Sequence, residues 1–403
     1  MRIIVVGAGP AGLFYSINAS CLGHEVVLLE SNEKAGKKLF ITGKGRCNVT
    51  NACEGKEFLN NVVTNAKFLF SSLSKWNSFD TIDFFNSHNC PLVIERGNRV
   101  FPKSYKAYDI TDTLVRECRK NGVSIKFNTK VLEINKINNE FVVKTNFSNF
   151  TSDALVIATG GKSYSQTGSK GDGYLFAKKF NHTIIDPVPA LCPIKVKENF
   201  QKEMLNFTLK NVTLKATSGK FENNEFGDLE FLSNALTGPI ALTTSSLINR
   251  FDDVTLSIDF KPALSEEQLD NRLLREIKNY EKGTVLDLIK KVLPSAVIPM
   301  FLSKLDVDQD ESLVYLTKEN RYKIVNLIKS FPFSYAGLDN IDRAIVTSGG
   351  VDIKQINPKT MESKLVPNLY FIGEVLDIDA FTGGFNIQIA LSTAYSAANA
   401  LKE

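Results

Sequence analysis

At the front of this chain IIVV (3–6) runs directly into GAGPAG, followed by LFYSINASCLG and then EVVLLE, which ends at Glu30. Few folds accommodate that order. Short apolar runs of this kind read as buried parallel strands. The glycine spacing has a physical reading. Gly7 makes a tight turn, Gly9 lets backbone approach a pyrophosphate, and Gly12 lets a helix pack close on the strand, with Pro10 and Ala11 between them. The N-terminus of that helix offers free N–H groups to phosphate. Glu30 stands where a carboxylate accepts hydrogen bonds from both hydroxyls of an adenosine ribose, and it would repel a 2′-phosphate. The expected ligand is a dinucleotide, and the expected fold class is α/β with a Rossmann-like frame.

Two further strands belong to the same frame. DALVIATGG (153–161) ends in Thr159, Gly160 and Gly161, and NLYFIGE (368–374) ends in Gly373 and Glu374. TGGFNIQIALSTAYSAANAL then reads as a closing helix behind Gly384. A nucleotide fold drawn from both ends of the chain suits elongated FAD better than NAD. A helix N-terminus at the flavin N1/C2=O edge stabilises negative charge on the ring, and the amides of Phe385, Asn386 and Ile387 are the candidate donors. Glu374 is placed to accept hydrogen bonds from ribityl hydroxyls.

Between these segments, ITGKGRCNVTN (41–51) has neither helical nor strand period. Gly43 and Gly45 permit positive φ or close backbone approach. Lys38 and Arg46 offer charge to a pyrophosphate or to the pyrimidine edge of a flavin, and Asn48 carries both donor and acceptor. Three readings stand for the loop: a cofactor cradle, a redox pair formed by Cys47 and Cys53, and a solvated turn. The five residues between the two thiols favour a small packing thiol over a redox pair.

GAGPAG, GKKLFITGKGRCNVTN, ATGGKSYSQTGSKGDGY, TSGGV, NPKTMESKLVPNLYFIGEVLDID and FTGGFNIQIALSTAYSAANAL together resemble the BaiN/YhiN-type flavoproteins over nearly the whole chain. This family of FAD-dependent oxidoreductases includes aminoacetone oxidase and a bile-acid enone reductase. The resemblance implies non-covalent FAD folded along the 41–51 loop, with Val131 among the cofactor contacts. It also implies a cap over the flavin and either amine oxidation with O₂ or reduction of a conjugated enone. The chain departs from the family at Lys44, Ser165 and Ala380, where members commonly carry Gly, Pro and Gly.

The expected organisation is an FAD-binding part at 1–189, a small β-rich, barrel-like domain at 190–264, a helical cap at 265–340 and a closing FAD-binding part at 341–403. Within the insert, SEEQLDNRLLREIKNY is a helix with a capping-box start. No second glycine fingerprint follows a strand there, so NAD(P)H, if used, docks transiently. The net charge of +4, without a block of like charges, speaks against a nucleic-acid partner. A small-molecule substrate is expected instead, and the oligomeric state stays open. Six cysteines without a CxxC fit reduced thiols in a cytoplasm. His24, His88 and His182 lack metal-ligand spacing, and no apolar run reaches membrane-spanning length. No catalytic acid or base stands out; Tyr164, Asp377, Asp379 and Thr382 flank the expected ring. A non-catalytic FAD-binding module or an RNA-modifying flavoprotein remains the reading from another class.

Overall fold

The computed structural model describes the chain except Glu54, Asn206 and Glu403 and the side chains of Lys44 and Lys402, so the family departure at Lys44 lies outside the described side chains. Two compact units result. One joins Met1–Ala190 with Ile341–Glu403, and the other is Leu191–Asn340.

The first unit is built on a five-stranded parallel sheet. Strand β1 (Arg2–Val6), helix α1 (Pro10–Cys21) and strand β2 (Glu25–Leu29) open it. The strand order is Leu369–Phe371, Ala154–Ile157, β1, β2, Ser124–Lys126, and every pairing is parallel. The apolar runs are the reason: ALVI at 154–157 and IIVV in β1 are buried throughout, as strands covered on both faces must be. After β1 the chain moves to one side for β2 and later to the other for Ala154–Ile157. The carboxyl end of β1 therefore lies at the reversal of strand order, where ligands bind in open α/β sheets. Helix α1 packs against the C-terminal helix Phe385–Asn399. Small residues allow close approach here: a Cβ on Gly373 would sit 2.9 Å from the Ala11 methyl.

Smaller sheets decorate this unit. Thr50–Asn51, Arg99–Pro102 and Leu92–Glu95 form one. Ile184–Ala190 pairs antiparallel with Val346–Val351, the strand formed by TSGGV. The 41–51 stretch is more ordered than its lack of period implies. Leu39–Gly45 is a 3₁₀ helix, Cys47 takes a left-handed φ of 57°, and Thr50–Asn51 is a strand. Gly43 and Gly45 both have positive φ, at 56° and 84°.

In the second unit a seven-stranded antiparallel sheet runs from Phe331–Phe333 to Tyr335–Leu338. Those two end strands are separated along the chain by Ser334 alone, so the sheet curls round on itself. Both lie inside the stretch expected as the helical cap (265–340). Strands and helices of the insert also share one hydrophobic core, in which Leu214, Leu256 and Phe331 join Leu273, Leu288 and Val325. The capping box is formed as expected: Gln268 N–H donates to Ser265 Oγ, and Ser265 N–H to Gln268 Oε1 at 2.9 Å. Helix Pro239–Ile248 is an element that the sequence reading misses. Its Ile, Thr and Ser residues are weak helix formers, and Pro239 at the first helical turn is the one local signal.

Candidate functional site

The fingerprint glycines divide by what a side chain would strike. On Gly12 a Cβ would stand 1.9 Å from the Gly7 carbonyl oxygen, and on Gly7 (φ +104°) 2.5 Å from that of Ala158. Both glycines are demanded by the protein's own packing. On Gly9 a Cβ would meet no described atom beyond its chain neighbours within 4 Å. Gly9 caps α1 and Pro10 occupies its first turn, so packing against the described residues does not demand glycine there. Glu30 is buried; one oxygen accepts from Ala8 N–H at 2.8 Å, and the other from the Asn32 N–H and side-chain amide at 2.8 and 2.7 Å.

The same end of the site gathers other expected residues. Thr129 N–H donates to the Glu30 carbonyl, and Val131, two residues on, lines a cleft of about 330 Å³ with Lys130, Asp172 and Phe176. Asn32 also donates to the Thr167 carbonyl, so the GSKGDGY loop rests on the residue that orients Glu30. Thr159 follows strand Ala154–Ile157, and its hydroxyl is buried without a hydrogen-bond partner among the described residues. Gly160 (φ +73°) lies beside Ser169, and its Cβ would be 4.0 Å from Glu374 Oε2.

Lys38 and Glu374, expected to serve the cofactor separately, meet each other. Lys38 Nζ lies 2.8 and 2.7 Å from the two Glu374 oxygens and 2.8 Å from Ser163 Oγ. Glu374 Oε1 also accepts from Thr347 N–H at 3.0 Å, whereas Oε2 lies on the Gly160 side. The Lys38 ammonium thus has a carboxylate for its counter-charge within the protein. Arg46 likewise has partners within the protein. Its guanidinium sits 4.6 Å from the Phe101 ring centre and 3.8 Å from Glu95, which holds it on the Leu92–Pro102 hairpin. Asn48 is structural at its oxygen, which accepts from Val100 N–H at 3.1 Å.

The C-terminal helix closes the constellation. Its first intrahelical bond runs from Gln388 N–H to the Gly384 carbonyl, so the amides of Phe385, Asn386 and Ile387 precede it and form the open helix end. A Cβ on Gly384 would lie 2.4 Å from the Thr50 carbonyl, Thr50 Oγ1 bonds Gln388 at 2.7 Å, and Asn51 Nδ2 donates to the Gly383 carbonyl at 3.1 Å. The 41–51 loop is thereby pinned to the helix start. Two expected contacts point elsewhere with their side chains: the Phe385 ring packs on Phe58, and the Asn386 amide clamps the backbone of Ala380 and Phe381. His182 is structural, with Nε2 2.8 Å from Ser363 Oγ and its ring against Phe371.

Both thiols of the loop are buried and free, and Cys21 is the exposed one of the six. Burial pushes Cys47 up to about 12 and Cys53 to about 11, far from a reactive thiolate. Replacing both by serine is expected to keep flavin and most turnover; loss of turnover with flavin retained would restore a disulfide mechanism. The sign of the pH effect follows from the raised value. Cys47 favours the folded state fully below its ordinary 9.0, and that contribution drains as pH rises toward about 12. Thermal stability should accordingly fall above pH 9, measured by circular dichroism.

A Rossmann frame with an outward-facing Gly9, a buried ribose-type carboxylate, an unpartnered Thr159 hydroxyl and an open helix end fits FAD, and these features define an FAD-dependent flavoprotein. The HI0933-like protein Rossmann domain matches residues 1–400, and the chain belongs to that family of FAD-dependent oxidoreductases. It is 30% identical over 409 residues to the ribosomal RNA dihydrouridine synthase of Haemophilus influenzae, across 98% of this chain and 97% of that protein. It is 26% identical over 416 residues to the 3-dehydro-bile acid delta(4,6)-reductase of Clostridium scindens, across 100% and 99%. In fold it is similar to a 3-ketosteroid-delta4-(5alpha)-dehydrogenase from Rhodococcus jostii RHA1, with 12% identity, a TM-score of 0.50 and coverage of 100% and 96%. Among the described residues no helix is long and apolar enough to cross a membrane, and no His/Cys/Asp/Glu group could hold a metal ion.

Proposed function

We propose that this flavoprotein reduces a carbon–carbon double bond conjugated to a carbonyl, with a uracil ring of ribosomal RNA as its substrate. The observation that carries this reading is the near full-length likeness to two relatives whose names describe one kind of bond change. Dihydrouridine arises by reduction of the uracil C5=C6 bond, and a delta(4,6)-reductase also acts on carbon–carbon double bonds. FAD, when bound, supplies two-electron chemistry at its ring. Gly9 and the α1 N-terminus would receive the pyrophosphate, Glu30 the adenosine ribose, and Glu374 Oε2 the ribityl hydroxyls. The amides of Phe385, Asn386 and Ile387 would stabilise negative charge at the pyrimidine edge. NAD(P)H would serve as a transient reductant.

Glu30→Gln is expected to weaken FAD binding by ~1.5–3 kcal/mol, the value of a charge-assisted hydrogen bond; an unchanged FAD dissociation constant would detach Glu30 from the ribose. The function itself is tested by nucleoside mass spectrometry on ribosomal RNA from cells lacking this protein and from cells given it back. A dihydrouridine signal should vanish and return. An unchanged signal, with peroxide released from a small amine such as aminoacetone, would instead favour amine oxidation with O₂.

A further inference from the structure

The mild net charge conceals an uneven distribution. The FAD-binding unit holds 29 Lys+Arg against 23 Asp+Glu, a balance of +6, and residues 191–340 hold 19 against 21, a balance of −2. Within the first unit, RGNRVFPKSYK (96–106) carries four cations and no acid. Arg96, Arg99, Lys103 and Lys106 are all exposed, and among the described residues none of them has a carboxylate within ion-pair distance. Arg99 Nε donates to the Arg96 carbonyl, which holds the two residues together at the tip of one hairpin. Tyr105, 43% exposed, lies between Lys103 and Lys106 in the chain, with its ring 5.8 Å from the Arg46 guanidinium and its hydroxyl hydrogen-bonded to Glu95.

The position of the hairpin gives the charge a use. Its inner strand pairs Val100 with Thr50 and Arg99 with Asn51. Asn51 Nδ2 donates both to the Gly97 carbonyl at the hairpin turn and to the Gly383 carbonyl ahead of the C-terminal helix, each at 3.1 Å. The basic tip is therefore tied by one buried side chain to the helix start that forms the pyrimidine-edge side of the site.

We propose that the hairpin Leu92–Pro102 and the segment through Lys106 are the RNA-docking face, on which Arg96, Arg99, Lys103 and Lys106 hold phosphates flanking the target uracil and Tyr105 offers a stacking surface. The proposal rests on the reading of RNA as substrate. It follows from charge complementarity: unpaired exposed cations with an interleaved aromatic ring are what a single-stranded polyanion requires. A base must also leave its stack to be reduced, so contacts to the flanking backbone are what remain to position it.

The test compares wild-type protein with a fourfold Ser variant at Arg96, Arg99, Lys103 and Lys106, using anisotropy of a fluorescent oligouridylate across salt concentrations. Each lost phosphate contact lowers the slope of log affinity against log salt by ~0.7 for single strands, so a fall of about 3 is expected. NAD(P)H-driven reduction of a small enone and the bound-flavin spectrum should be unchanged. Should the fourfold variant not fold, Lys103→Ser/Lys106→Ser, beyond the paired strands, should show about half that fall in slope. Equal affinity and slope for variant and wild type would overturn the hairpin assignment while leaving the RNA reading intact. Absence of salt-dependent oligouridylate binding by the wild type would overturn the RNA reading itself.

Discussion

Gly12→Ala is expected to yield protein that holds no flavin and unfolds well below the wild-type temperature, whereas Gly9→Ala should fold normally and lose flavin alone. The added methyl at position 12 would stand 1.9 Å from the Gly7 carbonyl oxygen, in a place where only backbone can move. Overpacking of a tight core costs ~1–3 kcal/mol, and separating α1 from β1 lies at or above the upper end. At position 9 the same methyl meets no described atom beyond its chain neighbours within 4 Å, so its cost is expected to fall on the ligand. Thermal unfolding without added flavin, alongside FAD titration, separates the two effects. Equal unfolding temperatures for the two variants would show that the helix–strand contact does not govern stability.

Lys38→Met is expected to weaken FAD binding through Glu374. The Lys38 ammonium and the Glu374 carboxylate are each about one-fifth exposed (21% for both side chains), and Lys38 contacts both carboxylate oxygens. The substitution would leave the carboxylate with Thr347 N–H and Ser163 Oγ as donors but no counter-charge. Removing one partner of a buried pair costs ~3–5 kcal/mol; with partial exposure, about 2 kcal/mol is expected here. Where that cost falls on the FAD-bound form alone, it is a roughly 30-fold rise in dissociation constant. The double variant Lys38→Met/Glu374→Gln should be less impaired than the two single variants combined, because neither charge is then left alone. Strict additivity would mean that the pair does not act as a unit in holding FAD.

Much of the cofactor frame was legible because it depends on local rules. An apolar run, a glycine spacing and an acid at the end of the next strand state their purpose within thirty residues, and β1, α1, β2 and Glu30 lie where that pattern requires. The capped helix behind Ser265 was legible for the same reason. A charge average is information of another kind. A balance of +4 describes the whole chain, and it does not report that four exposed cations, without ion pairs among the described residues, fall on one hairpin and the segment just after it, spaced too widely to form a contiguous block.

Glycine spacing and strand hydrophobicity are properties of adjacent residues. The nucleotide fold, the cofactor class and the positions where backbone must come close could therefore be read from the chain alone. Which charges remain free was settled by packing in three dimensions. Lys38 and Glu374 are 336 residues apart in the chain, and Arg46 meets Glu95 and the Phe101 ring on a hairpin about 50 residues further along. Whether a charged side chain faces a ligand or a counter-ion depends on which distant segment packs beside it, and no local pattern carries that information.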